Sequence, residues 1–211
     1  MQLLNKQAIK NAIAHTWYLY PISITLITLL WIWGFSAFHM PSAHQTISIF
    51  IEAEVKNDSL FHDIMNKKYD KEKLRELTIS YSSKDRSGYL DKLRIALSTS
   101  DIMIFDEDTM GGFINQYEDY LVCFDDYIVD NYLDSPQQYY KFSDEEYGYG
   151  ILIKEKGVEN YLNTYITFDE SLDYYLVLSK SSSNLGARYE VGNAYYDNAL
   201  TYMGYLLKGE L

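Results

Sequence analysis

Hydrophobic positions fall into two patterns along this chain. Residues 17–38 form 22 positions without a Lys, Arg, Asp or Glu. About 20 apolar residues suffice for a helix to cross a bilayer, so this stretch predicts a transmembrane helix. Trp17, Tyr18 and Tyr20 stand near one end and Trp31 and Trp33 near the other, as interfacial aromatics do. Pro21 falls in an early turn, where a helix tolerates it. His15 and His39 flank the segment and read as interfacial residues rather than ligands.

From residue 45 the apolar positions become periodic and short. Residues 46–51 are β-branched and apolar, the first strand. Asp58 or Ser59 can cap a helix carrying Leu60, Phe61, Ile64 and Met65 at helical spacing. Residues 77–81 are the second strand, and 82–87 a polar turn. Residues 89–97 form an amphipathic helix. Residues 102–105 are four apolar positions in a row, which predicts a strand buried on both faces. That strand runs into Asp106, Glu107 and Asp108, then Gly111 and Gly112. A short helix is expected from Phe113 and another piece from Asp125, with Gly148 and Gly150 as bends. Residues 151–153 and 174–178 predict strands, residues 161–168 fit strand or helix, and residues 193–208 predict a terminal helix. The order strand-helix-strand-helix-strand within about 60 residues implies a parallel α/β unit.

Charge divides the chain the same way. Formal net charge is −12, and all 30 acidic residues lie after residue 50. Lys6 and Lys10 are the only basic residues before Lys56. The positive-inside tendency puts residues 1–16 in the cytoplasm, makes residues 17–40 a signal anchor, and leaves residues 45–211 as an extracytoplasmic domain at the cell membrane. A cleaved signal peptide is the alternative, but residues 34–43 offer only poor small-x-small sites and the apolar core is long for one. After residue 40 there remain 16 basic against 30 acidic residues, a net of −14. Such a surface repels phosphate backbones and argues against nucleic-acid binding. The single cysteine, Cys123, permits no internal disulfide and reads as a small buried hydrophobe. No phosphate loop, calcium loop or nucleophile motif is present, and no cofactor is implied. The 22 tyrosines are spread along the chain and read as amphipathic filler.

Three passages carry a resemblance. They are Ile47-Ser-Ile-Phe-Ile-Glu-Ala-Glu54, then Tyr89-Leu-Asp-Lys-Leu-Arg-Ile-Ala-Leu97 leading into Ser100-Asp-Ile-Met-Ile-Phe105, and Asp108-Thr-Met-Gly-Gly-Phe113. Together with Asp125-Asp-Tyr-Ile128, they resemble the extracellular solute-binding proteins of ABC importers, of the maltose- and sugar-binding type. The resemblance implies a type II periplasmic-binding-protein lobe, a three-layer α/β/α domain, with residues 174–184 and 193–208 completing it. Those proteins have two lobes. The second would be inserted between residues 153 and 174, where only about 20 residues stand, so this chain resembles a single lobe. It implies a non-enzymatic module that binds a carbohydrate or another small solute, or delivers one to an importer's membrane subunits. The alternative is an accessory module that kept the lobe and lost the ligand.

By position, the resemblance assigns ligand hydrogen bonds to Glu54 and Asp108. Glu52 and Asp106 stand beside them at the same strand ends and complete the candidate set of ligand-binding residues. The competing reading makes Asp106 or Asp108 a helix cap and leaves the other acids as solvated surface. Convergence of Glu52, Glu54, Asp106 and Asp108 on a Ca²⁺ ion, or use of two of them as a glycosidase acid pair, is conceivable. Neither has supporting spacing, and a single lobe does not supply the closed cleft that such a pair needs.

Overall fold

A computed structural model describes residues 14, 16–39, 45–59, 62, 74–124, 133, 138–142, 148–185 and 198–208. The chain divides into two compact units, Met1–Met40 and Pro41–Leu211.

The first unit contains helix α1, Leu19–His39. Its window Leu19–Ser36 has a mean hydropathy of 1.5 and is 0% buried. At 1.5 Å per residue, α1 extends about 31 Å, the thickness of a bilayer's hydrocarbon core. The hydroxyls of Thr25 and Thr28 donate to the carbonyls of Pro21 and Ile24, each at 2.8 Å. Their polarity is thus satisfied within the helix. Among the described residues α1 is the one helix long and apolar enough to span a membrane.

The second unit is mixed α/β. Its strands are β1 (Thr46–Ile51), β2 (Glu54–Val55), β3 (Glu76–Tyr81), β4 (Ile102–Asp106), β5 (Tyr139–Tyr140), β6 (Gly150–Lys154), β7 (Ile166–Thr167) and β8 (Tyr174–Leu178). Its helices with both ends among the described residues are α2 (Tyr89–Thr99), α3 (Glu107–Gly112) and α4 (Asn198–Lys208), with 3-10 segments at Ile114–Tyr120 and Tyr161–Thr164. Six strands form one sheet in the order β3-β1-β4-β8-β6-β5. β3, β1 and β4 are parallel, as the strand-helix-strand pattern requires. β8 returns antiparallel to β4, and β6 and β5 continue antiparallel, so the sheet is mixed.

β4 lies between β1 and β8, and all five of its residues are buried. Alternation sends its side chains to two cores. Ile102 and Ile104 join Ile47, Ile49, Ile51, Leu176 and Leu178 under α4, which contributes Ala199, Leu200, Met203 and Leu206. Met103 and Phe105 join Phe50 and Val177 under α2 and α3, which contribute Leu93, Ala96, Leu97 and Met110. Helices therefore cover both faces of the sheet. The i, i+3, i+4 spacing of Leu93, Ala96 and Leu97 is what places one stripe of α2 on the sheet. Gly88 precedes α2 in the left-handed region, at φ 76°, where a side chain would strain the turn.

Several local expectations change. The short helix expected from Phe113 is present as the 3-10 segment Ile114–Tyr120, with Phe113 as its N-cap. The chain is already helical from Glu107, because Asp106 caps it, and the Gly-Gly pair lies inside α3. Residues 161–168 are both things in turn, a 3-10 segment and then β7, which pairs antiparallel with β2. Gly148 and Gly150 are not bends with special backbone angles. Gly148 bridges to Phe124, and a Cβ there would lie 2.4 Å from the Tyr139 Cβ. Gly150 starts β6, with Tyr175 Cβ 3.1 Å from where its own would be. Both glycines permit close approach of neighbouring strands. Cys123 is half-buried rather than fully buried. Of the helix expected after Asp58 or Ser59, residues 58, 59 and 62 are described and helical, while its other residues, the piece expected from Asp125 and the start of the terminal helix at residues 193–197 lie outside the described residues, as do Lys6, Lys10, His15 and His44.

Candidate functional site

The carboxyl ends of the parallel strands meet at one edge of the sheet, where open α/β sheets bind ligands. A cleft of about 230 Å³ opens there. Its walls come from the residues after β1 (Glu52, Ala53, Glu54), the turn after β3 (Ser83, Lys84, Asp85), the end of β4 (Asp106), and the segment from β7 to β8 (Thr167, Phe168, Asp169, Leu172, Tyr174).

The four sequence-predicted acids separate into two kinds. Glu52 and Asp106 are each 2% exposed and belong to the fold. Glu52 Oε1 accepts from the Tyr89 hydroxyl and from Thr109 Oγ1, the latter at 2.7 Å, while Oε2 accepts from the Asp106 main-chain N–H at 3.0 Å. Asp106 Oδ1 accepts from the Thr109 N–H at 2.8 Å and caps α3, and its Oδ2 lies 2.6 Å from Lys84 Nζ. The cap reading therefore describes Asp106. Glu54 and Asp108 are exposed. Glu54 borders the cleft from β2, whereas Asp108 stands in the first turn of α3 with Lys84 Nζ 3.7 Å away.

Burial pushes the Glu52 carboxyl up to about 7, and the Asp106 charge adds to this. The bonds from Tyr89, Thr109 and the Asp106 N–H oppose the rise without cancelling it. Burial works against the Lys84 ammonium, but the bond and charge of Asp106, with the charges of Glu52 and Asp108, hold its pKa above the usual lysine value. The Asp169 carboxyl, bonded by the Ser171 hydroxyl and N–H, is held below the usual range.

A stability trend follows from Glu52. Its folded-state pKa is raised, so the stability it allows is fully present below the ordinary carboxylate value and is lost as pH rises toward about 7. Between pH 5 and pH 8 the loss should be about 2 to 3 kcal/mol at 1.36 kcal/mol per pH unit. Glu52→Gln should flatten that slope and be the more stable protein at pH 8. Urea unfolding of the full chain in detergent, followed by circular dichroism at both pH values, measures it.

Sequence reasoning did not find Lys84, Phe168, Asp169 or Tyr174. Lys84 was within reach, since it sits in the polar turn at the carboxyl end of the second strand, the position that drew attention to Glu52 and Asp106. Phe168 and Asp169 carry no such signal, because they arrive through the pairing of β7 with β2. Phe168 and Tyr174 pack as a tilted pair, 4.6 Å between centroids. Behind them Lys154, 2% exposed, holds its ammonium 5.6 Å from the Tyr174 ring centroid and 6.0 Å from that of Phe168.

Among the described residues no group of three or more His, Cys, Asp or Glu side chains is placed to hold a metal ion. His62 is paired instead with Asp58, 3.1 Å away. Comparison with protein families, with curated proteins and with solved structures found no match.

Proposed function

We propose that residues 45–211 form a single solute-binding-protein-like lobe of the type II α/β/α kind, held at the outer face of the cell membrane by α1 with residues 1–16 in the cytoplasm. The lobe binds a small polar solute, a carbohydrate in the first instance, and presents it to the membrane subunits of an ABC importer. The observation that carries this reading is the cleft at the carboxyl edge. It gathers exposed hydrogen-bonding groups (Glu54, Lys84, Asp85 and Asp169) over a floor in which Phe168 and Tyr174 are buried. Carboxylates and an ammonium that reach solvent at one edge suit a polyhydroxy ligand, whose hydroxyls both donate and accept. The parallel trio β3-β1-β4 with the antiparallel return strand β8 supports the lobe assignment.

Calorimetry of the full chain in detergent against mono- and oligosaccharides tests the proposal. Heat from at least one sugar, reduced tenfold or more in affinity by Asp169→Ala or Glu54→Ala, is the expected result. No heat from any member rejects the ligand-binding reading.

A second reading is favoured by the consumption of Glu52 and Asp106 in internal bonds and by the compact segment where a closing lobe would be inserted. On that reading the lobe is an accessory module that docks on a transporter or another surface protein. Crosslinking in intact membranes followed by mass spectrometry separates the two. A recurrent protein partner together with silent calorimetry supports docking, and recovery of the isolated chain alone counts against it.

A further inference from the structure

Glu52 stands where four elements meet. It follows β1, and its carboxyl accepts from the main chain of β4 at Asp106, from Tyr89 at the start of α2 and from Thr109 in α3. The charged and titratable groups that face it are Tyr89 from α2, Asp106 from β4, Lys84 from the turn between β3 and α2, and Tyr174 from β8. α3 contributes the Thr109 hydroxyl. One ammonium, Lys84, thus serves two buried carboxyl groups, and it bonds to Asp106. While Glu52 carries a proton, the Lys84–Asp106 pair is electrically balanced. Once Glu52 ionises, two buried negative charges share one ammonium, on which the exposed Asp108 also draws from 3.7 Å. Interactions there are little screened, because both carboxyls are shut off from water.

We propose that Glu52 is a proton-operated latch on the carboxyl edge of the sheet. Protonated, it lets α2, α3 and the turn at residues 82–88 close over this corner. Deprotonated, it sets a second buried negative charge against Asp106 and loosens the corner together with that turn, which forms one wall of the cleft. The cause is geometric: the carboxyl is buried, a second buried carboxyl stands beside it, and the ammonium at this corner is bonded to that second group. The raised carboxyl pKa, about 7, puts the transition within the range that an extracytoplasmic surface meets. The latch rests on this corner of the fold and not on the solute reading, so its test needs no ligand.

Amide hydrogen exchange at single-residue resolution, on the full chain in detergent and corrected for intrinsic rates, reads the latch directly. The reporters are the N–H groups of Asp106 and Thr109, which bond to Glu52 and Asp106. For a carboxyl that is solvated on opening, their opening constant should rise about tenfold from pH 6 to pH 8. The N–H groups of Met203 and Leu206 in α4 should show no such rise. Glu52→Gln should abolish the rise. Lys84→Gln should keep it but move it to higher pH, because the carboxyl loses a nearby cation. A flat wild-type profile, a rise that survives in Glu52→Gln, or an equal rise in α4 would each overturn the proposal.

Discussion

Asp101→Ala is expected to destabilise the domain by about 4 kcal/mol, more than any other single change to a polar residue described here. Asp101 is 7% exposed and stands immediately before β4. Its Oδ2 accepts from the Ser48 N–H at 2.7 Å, and its Oδ1 accepts from the Ser182 hydroxyl and from Asn184 Nδ2, the latter at 3.1 Å. Asn184 Nδ2 reaches on to the Thr46 carbonyl at 2.7 Å. One carboxylate therefore fastens the loop after β8 to β1 and β4 at the amino end of the sheet. Burial pushes this carboxyl above its usual pKa, and the bonds from Ser182, Ser48 and Asn184 work in the other direction. Alanine strands three buried donors, each at about 1 to 3 kcal/mol, with partial relief from water or rearrangement. Asn keeps one acceptor oxygen but turns the other into a donor that must face either Ser48 or the Ser182–Asn184 pair. Asp101→Asn should therefore recover only part of the loss. Urea unfolding in detergent by circular dichroism gives both values. A loss below 1 kcal/mol for the alanine variant would show that the network is not coupled to the fold.

Phe105→Ala should cost about as much, roughly 4 kcal/mol, by a different route. Phe105 is fully buried in β4, between β1 and β8, and its ring lies 5.8 Å from that of Phe50. Truncation removes an aromatic side chain from between the sheet and the α2–α3 layer, where Leu93 and Met110 belong to the same core. Neighbours anchored in β1 and α2 cannot collapse fully into the space, so the lost contacts add to the lost burial. Phe105→Leu fills most of the volume and should cost under about 1.5 kcal/mol. The difference between the two variants in thermal midpoint is the measurement. Equal midpoints would mean that the site relaxes freely.

Much of the domain could be read from apolar spacing. The strands at β1, β3, β4 and β8 and the helix α2 follow from runs and periods in adjacent residues, so local pattern suffices. What escaped was made by distant partners. Nothing near Glu52 in the chain tells it apart from Glu54, since both follow a strand and both are acids. The fold separates them: Tyr89 and Thr109 close over one, and β2 turns the other outward. Likewise, the acid that proved to be a cap was one of two candidates at the same strand end. Asp106 won because its backbone is still extended, at φ −76° and ψ 167°, when its side chain meets the Thr109 N–H. The glycines at 148 and 150 were misread for the same reason. Their neighbours Tyr139 and Tyr175 are remote in sequence, and only strand pairing shows that the space is taken.

The segment between β6 and β8 has a consequence for how this domain can be altered. Lys154 and Tyr174 are cross-strand partners, so residues 155–173 leave the sheet and rejoin it on a single rung. The middle of this excursion is pinned, with Leu162, Ile166 and Phe168 in the core and β7 paired to β2. Its first residues, 155–159, are exposed. Lengthening a loop whose ends are already held together costs only about 0.6 kcal/mol per doubling. A whole folded domain grafted within these exposed residues is expected to leave the register of the six-strand sheet unchanged. The rung is a natural port for a guest domain, and a fluorescent protein spliced there would report on the mouth of the cleft from within the chain itself.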